Sequence, residues 1–165
     1  MSFDLRQSVA AYTAALSDGE LARAYRGVLS FCSALRAFFA RRFAGCAIGT
    51  LYPGYLDMTY FALTPPDLRD QKLKIAVVYL HAENRFEFWL AAANRTVQAK
   101  TAKRLSRVSC GKYSVTHPAP GVDAIIAWVA DSAPDFGRPE ALMESLAEKA
   151  AAFTGDMTAL VCRPD

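Results

Sequence analysis

A chain of 165 residues, 53% hydrophobic and 21% charged, suits one globular domain and is long enough to bury roughly two-thirds of the surface its unfolded form exposes. This composition excludes a disordered or fibrous chain, and a formal net charge of +3 selects no partner on its own. No run approaches the ~20 apolar residues of a membrane span, and MSFDLRQS lacks the basic-then-apolar pattern of a signal peptide; the expectation is a cytoplasmic protein with a single domain over 1–165.

The chain opens with a short helix over Phe3 to Leu16. Ser17-Asp18-Gly19-Glu20 fits the S-x-x-E capping box and predicts a second helix, along which Leu21, Tyr25, Val28, Cys32, Leu35 and Phe39 recur at helical spacing as far as Gly45. From Cys46 the period falls to two, giving strands over 46–52, 55–63, 73–81 and 85–92. Pro53-Gly54 separates the first pair, Pro65-Pro66-Asp67 ends the second strand, and Ala82-Glu83-Asn84 forms a hairpin between the last two.

Asn94 caps a basic helix after Ala93, which carries Arg95, Lys100, Lys103, Arg104 and Arg107 without an acid. Tyr113 to Thr116 reads as a short strand before the proline-rich loop His117-Pro118-Ala119-Pro120-Gly121. Val122, Ile125, Ile126 and Val129 read as a short helix. A last helix begins near Pro139 and buries Leu142, Leu146, Ala150, Phe153, Met157 and Leu160. The fold class is therefore α+β: a central, mainly antiparallel sheet of four to five strands with N-terminal and C-terminal helices packed on it.

The candidate site comes from strand phase. Tyr55, Asp57 and Thr59 share one side of their strand, while Arg85, Glu87 and Trp89 share one side of theirs. With Arg95 at the edge, these residues form a candidate face for a small-molecule or peptide ligand, aromatic surfaces beside a few directed polar groups being what such sites use. The competing structural reading covers this face with a helix, makes Trp89 core and pairs the acids with Arg85, Arg95 or backbone amides.

GYLDMTYFALTPP and LKIAVVYLHAENRFEFWLAAANR, with AYRGVLSF before and PGVDAIIAWV after them, resemble a family of small bacterial proteins known only as a domain of unknown function. The likeness runs from about Leu21 to the last helix and rests on GYxDMTYF, KIAxVYLH, FExWL and NR as a set. It implies one intact domain and transfers no catalytic residue.

The order of elements is also similar to the core of PD-(D/E)xK nucleases, where an Asp and a later acid hold metal and a Lys stands two residues after that acid. Here Phe88 and Trp89 follow Glu87, and Asp57 is not preceded by proline. A metal-dependent hydrolase or nuclease at Asp57 and Glu87 is thus the weaker alternative. His81 and His117 are isolated and make no zinc site, and neither a nucleophile elbow nor a phosphate-binding glycine motif is present. The four cysteines, Cys32, Cys46, Cys110 and Cys162, form no Cys-x-x-Cys pair and read as reduced packing residues.

A third reading sets nucleic acid against Lys100, Lys103 and Arg104 of the basic helix, but that segment has no interleaved aromatics and nucleic acid is disfavoured. The sequence therefore favours a non-enzymatic binding module with no cofactor, no metal and no membrane partner. It leaves ligand and oligomeric state open.

Overall fold

The computed structural model describes residues 4–117 and 119–164. Five helices and five strands follow one another in the order α1 (Leu5–Leu16), α2 (Glu20–Arg42), β1 (Ala47–Ile48), β2 (Met58–Thr64), α3 (Pro66–Asp70), β3 (Leu73–Leu80), β4 (Arg85–Ala92), α4 (Arg95–Leu105), β5 (Ala124–Asp131) and α5 (Pro139–Val161). The sheet is a five-stranded antiparallel meander in sequence order, the arrangement that short connections favour. The α+β class and the terminal helices match the sequence reading, although Phe3 and Pro118 lie outside the described residues.

One face of the sheet carries the core. Phe61, Val77 and Phe88 stand in a row across β2, β3 and β4, and Phe39 of α2 and Phe153 of α5 close over them, none of the five more than 2% exposed. Phe39 meets Phe61 edge-on at 5.4 Å, and Phe153 lies 5.9 Å from Phe88 and stacks on Trp128 at 6.0 Å. Each such side chain contributes about 1.5–3 kcal/mol on burial. Tyr113, whose hydroxyl donates to Asp156 Oδ2 at 2.6 Å, pins the preceding loop to α5.

Local chemistry explains where several elements depart from expectation. The capping box does not form: Gly19, at φ +78°, is the cap of α2, Asp18 Oδ1 accepts the Glu20 N–H, and the Ser17 hydroxyl turns back to the Ala14 carbonyl. α2 ends at Arg42 rather than near Gly45. Pro66 sits at the first position of α3, a helix the two prolines concealed, where a missing N–H leaves no bond unmade and Leu68 reaches the core.

The expected helix over 122–129 is instead β5. Register shifts beside Leu90/Ala91 and Phe86/Glu87 bury both Ile125 and Ile126 and break the period of two, so the apolar spacing imitates a helix. Val115 contributes an isolated bridge to Ile126 in place of the short strand expected over 113–116. β1 keeps two residues of the expected 46–52, with Tyr52 returning only as a bridge to Tyr60.

β2 begins at Met58 rather than at 55. Gly54 adopts φ +77° and a Cβ there would run into the Met58 carbonyl oxygen, Leu56 adopts φ +67°, and Asp57 Oδ1 accepts the Tyr55 N–H at 2.8 Å. These features make residues 54–57 a tight turn that cannot continue the ladder.

An open sheet face as the candidate site

The second face of the sheet lies outside the core cluster that α2 and α5 complete. Directly paired residues share a face, so the register lays it out in rows. Met58, Leu80 and Arg85 form one row; Tyr60, Val78, Glu87 and Val129 the next; Ala62, Ala76, Trp89 and Ala127 the third; and Lys74 with Ala91 begins the fourth. Gly49 donates its N–H to the Ala62 carbonyl and extends the third row toward β1.

Small side chains along this row leave a trough with Trp89 as its wall. A cavity of about 230 Å³ lies there, floored by Ala76, Val78 and Ala91 and flanked by Tyr60, Trp89 and Lys74. The loop entering α4 and Asp123 close its far end.

Charge on this face is almost entirely internal. Glu87, 6% exposed, accepts from Arg85 Nε at 2.8 Å on one carboxylate oxygen and from Trp89 Nε1 at 2.6 Å on the other. Both donors stand two residues away on the same strand, so the period of two builds the network. It fixes the indole plane and stabilises a carboxylate that burial would otherwise disfavour.

At the rim, Arg95 donates to Asp123 at 3.0 Å, to Gln98 and to the Val122 carbonyl. Lys74 differs. It is half-buried beside the trough, diagonal to Trp89, and among the described residues it has no carboxylate within ion-pair distance.

The seven sequence candidates do not share one face. Arg85, Glu87 and Trp89 stand on the open side, and Arg95 is at its rim. Thr59 pairs with Tyr79 in phase with Phe61, on the core side, and is 1% exposed. Tyr55 and Asp57 precede the strand, Tyr55 at 86% exposure and Asp57 exposed. The expected common side was therefore wrong in phase: Thr59 and Phe61 of β2 face with Phe86 and Phe88, while Met58, Tyr60 and Ala62 face with Glu87 and Trp89. β3 also separates the strands of Asp57 and Glu87, so these acids do not converge on one metal. Among the described residues, no group of three or more His, Cys, Asp or Glu is placed to hold an ion.

Thr59 instead anchors a second polar cluster. Its hydroxyl donates to the Pro53 carbonyl at 2.6 Å and lies 2.8 Å from His81 Nε2. A hydroxyl has one proton and a carbonyl only accepts, so His81 Nε2 must be the donor to Thr59, and in the neutral ring Nδ1 then carries no proton. Burial holds the His81 pKa below its ordinary value, against an opposing pull from Asp57. Backbone N–H groups of Tyr55 and Met58 hold the Asp57 carboxyl below its usual range. The cluster ties turn 53–57 to the end of β3, where the backbone N–H of His81 donates to the Asp57 carbonyl at 3.0 Å.

The basic helix expected over 94–107 forms as Arg95–Leu105, with Arg107 beyond its end and Asn94 Oδ1 accepting the Val97 N–H at 2.9 Å. Lys100 and Lys103 are exposed, but Arg104 is half-buried and donates to the Val161 carbonyl at 2.7 Å, closing the end of α5. The three candidates are thus two surface cations and one packing residue. Cys32 is no nucleophile at neutral pH, since burial pushes its thiol up to about 12.

Lys74, Tyr60 and Ala76 line the cavity and are absent from the sequence candidates. Their signal was the alternation of small and large side chains on β2 and β3, which cannot be phased until the pairing is known.

Fold and site together define an α+β protein with a one-sided antiparallel sheet, helices on one face and a tryptophan-walled trough on the other. The chain belongs to the family described as Domain of unknown function (DUF7000), whose model matches residues 5–161. No curated protein and no solved structure matches it. No helix among the described residues is long and apolar enough to cross a membrane.

Proposed function

We propose that the open face binds a small amphipathic anion, a monocarboxylate with a flat apolar body, and that the protein works as a binding module. The observation that carries this reading is Lys74. The other charged groups lining the trough, Arg95 and Asp123, neutralise each other, and Arg85 pairs with Glu87 farther along the same face, which leaves one half-buried ammonium beside an alanine floor and an aromatic wall. A flat ring fits between Trp89 and the floor, where aromatic contacts add about 0.5–1.5 kcal/mol beyond area burial. A carboxylate on that ring would reach Lys74.

Titration calorimetry with 2-naphthoate and its uncharged partner 2-naphthamide tests the reading. The acid should bind more tightly, and Lys74→Gln should weaken the acid by about tenfold or more, since a charge-assisted hydrogen bond contributes roughly 1.5–3 kcal/mol, while leaving the amide unchanged. Equal binding of acid and amide, or no binding of either, would overturn it.

A further inference from the structure

α1 is amphipathic and has nothing to bury itself in. Leu5, Val9 and Tyr12 fall on one helix face and are 61%, 50% and 56% exposed, and the helix buries none of its residues. Arg6 is the one charged residue between Leu5 and Leu16. A helix of 12 residues is marginal in water unless its apolar face is packed.

The same chain carries an apolar groove that none of the described residues fills. A cavity of about 600 Å³ runs along α2 to the start of α5, lined by Ala24, Gly27, Val28, Phe31, Phe136 and Met143 among others, with no charged side chain in its lining. Ala24 and Gly27 lie one turn apart and allow close approach of another helix. A Cβ at Gly27 would meet nothing within 4 Å.

We propose that this groove receives α1 of a second copy of the chain, in a reciprocal exchange that makes a two-fold dimer. The link between α1 and α2 argues for a second copy over the chain's own helix. Ser17 is in helical conformation and its N–H bonds to the Ala14 carbonyl, while the Gly19 N–H bonds to the Leu16 carbonyl. These bonds fix the short turn between the two helices, and in that arrangement no residue of α1 lines the groove and none is buried.

A reciprocal exchange breaks none of them and repeats the contact twice. Repetition matters because one short helix in a groove is small against the roughly 1,200–2,000 Å² that a specific interface buries. Leu5, Val9 and Tyr12 supply anchors at the spacing that helix-in-groove recognition uses.

Sedimentation over a wide concentration range tests the proposal on three proteins: the native chain, the Val9→Glu/Tyr12→Glu double variant, and Gly27→Leu. The double variant changes only exposed positions. Gly27→Leu fills the groove from an open site and replaces glycine with a better helix former, so neither change should unfold the monomer. The native chain should dimerise, and both variants should raise the dissociation constant at least tenfold.

A photo-crosslinker in place of Tyr12 should join two chains through the Gly27–Met143 region. A native chain that stays monomeric, a dimer that both variants leave intact, or a crosslink confined within one chain would overturn the proposal.

Discussion

Trp89 Nε1 donates to Glu87 Oε2 across 2.6 Å, two residues along the same strand and on the same side of the sheet. The indole is thereby held upright at the edge of the alanine trough, and the buried carboxylate acquires its second partner beside Arg85. Both carboxylate oxygens of Glu87 are thus engaged by donors from its own strand.

Replacing that acid should lower stability in a graded way. Glu87→Ala leaves both donors without their partner and should cost about 1–3 kcal/mol; Glu87→Gln keeps an acceptor for the indole and should cost less. Urea unfolding with an unchanged slope would measure this, and equal losses for the two variants would show that the indole contact contributes nothing.

Two glycines should respond with opposite signs. Gly54→Ala puts a Cβ against the Met58 carbonyl at φ +77° and should cost more than about 1 kcal/mol. Gly27→Ala, in the interior of α2 with open space around it, should stabilise by about 0.5–1 kcal/mol. Thermal unfolding of the pair checks both.

Much of this could be read from sequence, and the failures have common causes. Periodicity located β4, α4 and α5, and a continuous apolar run located β3; all six apolar positions named for α5 are buried. It failed at β5, where bulges bury Ile125 and Ile126 side by side, and at residues 54–57, where a left-handed glycine and an aspartate bonded to the backbone end the strand early. The site suffered from a subtler problem. Alternation tells which residues of one strand share a side, and only pairing between strands tells which sides coincide, so Thr59 was grouped with Glu87 although β3 aligns it with Tyr79 and the core.

Acid should weaken the fold through His81. Its pKa is lowered in the folded protein, mainly by burial, so below the ordinary value of 6.5 the unfolded chain takes up the proton more readily. Stability from this group is full above pH 6.5 and is lost as pH falls through the lower folded value. Denaturant midpoints from pH 8 to 5 should fall at the acid end, and His81→Asn should flatten that part of the profile. An unchanged profile would contradict the assignment of neutral His81 as donor to Thr59.

The cations of α4 should separate by role. Arg104→Ala removes the donor to the Val161 carbonyl and should cost about 1–2 kcal/mol. Lys100→Ala and Lys103→Ala, on the exposed side of the helix, should stay within about 0.5 kcal/mol of the native value. Chemical unfolding of the three variants gives the comparison.

The two tryptophans provide the most direct test of the open face, because Trp89 walls the trough while Trp128 stacks on Phe153 in the core. In a nitrogen-15 NMR titration with 2-naphthoate, the account predicts that the Trp89 indole signal and the amides of Ala76, Val78 and Ala91, which floor the cavity, shift together. It also predicts that the Trp128 indole stays in place and that Lys74→Gln suppresses the response. No shift at saturating naphthoate, or shifts confined to Trp128 and the His81 cluster, would contradict a ligand site on this face.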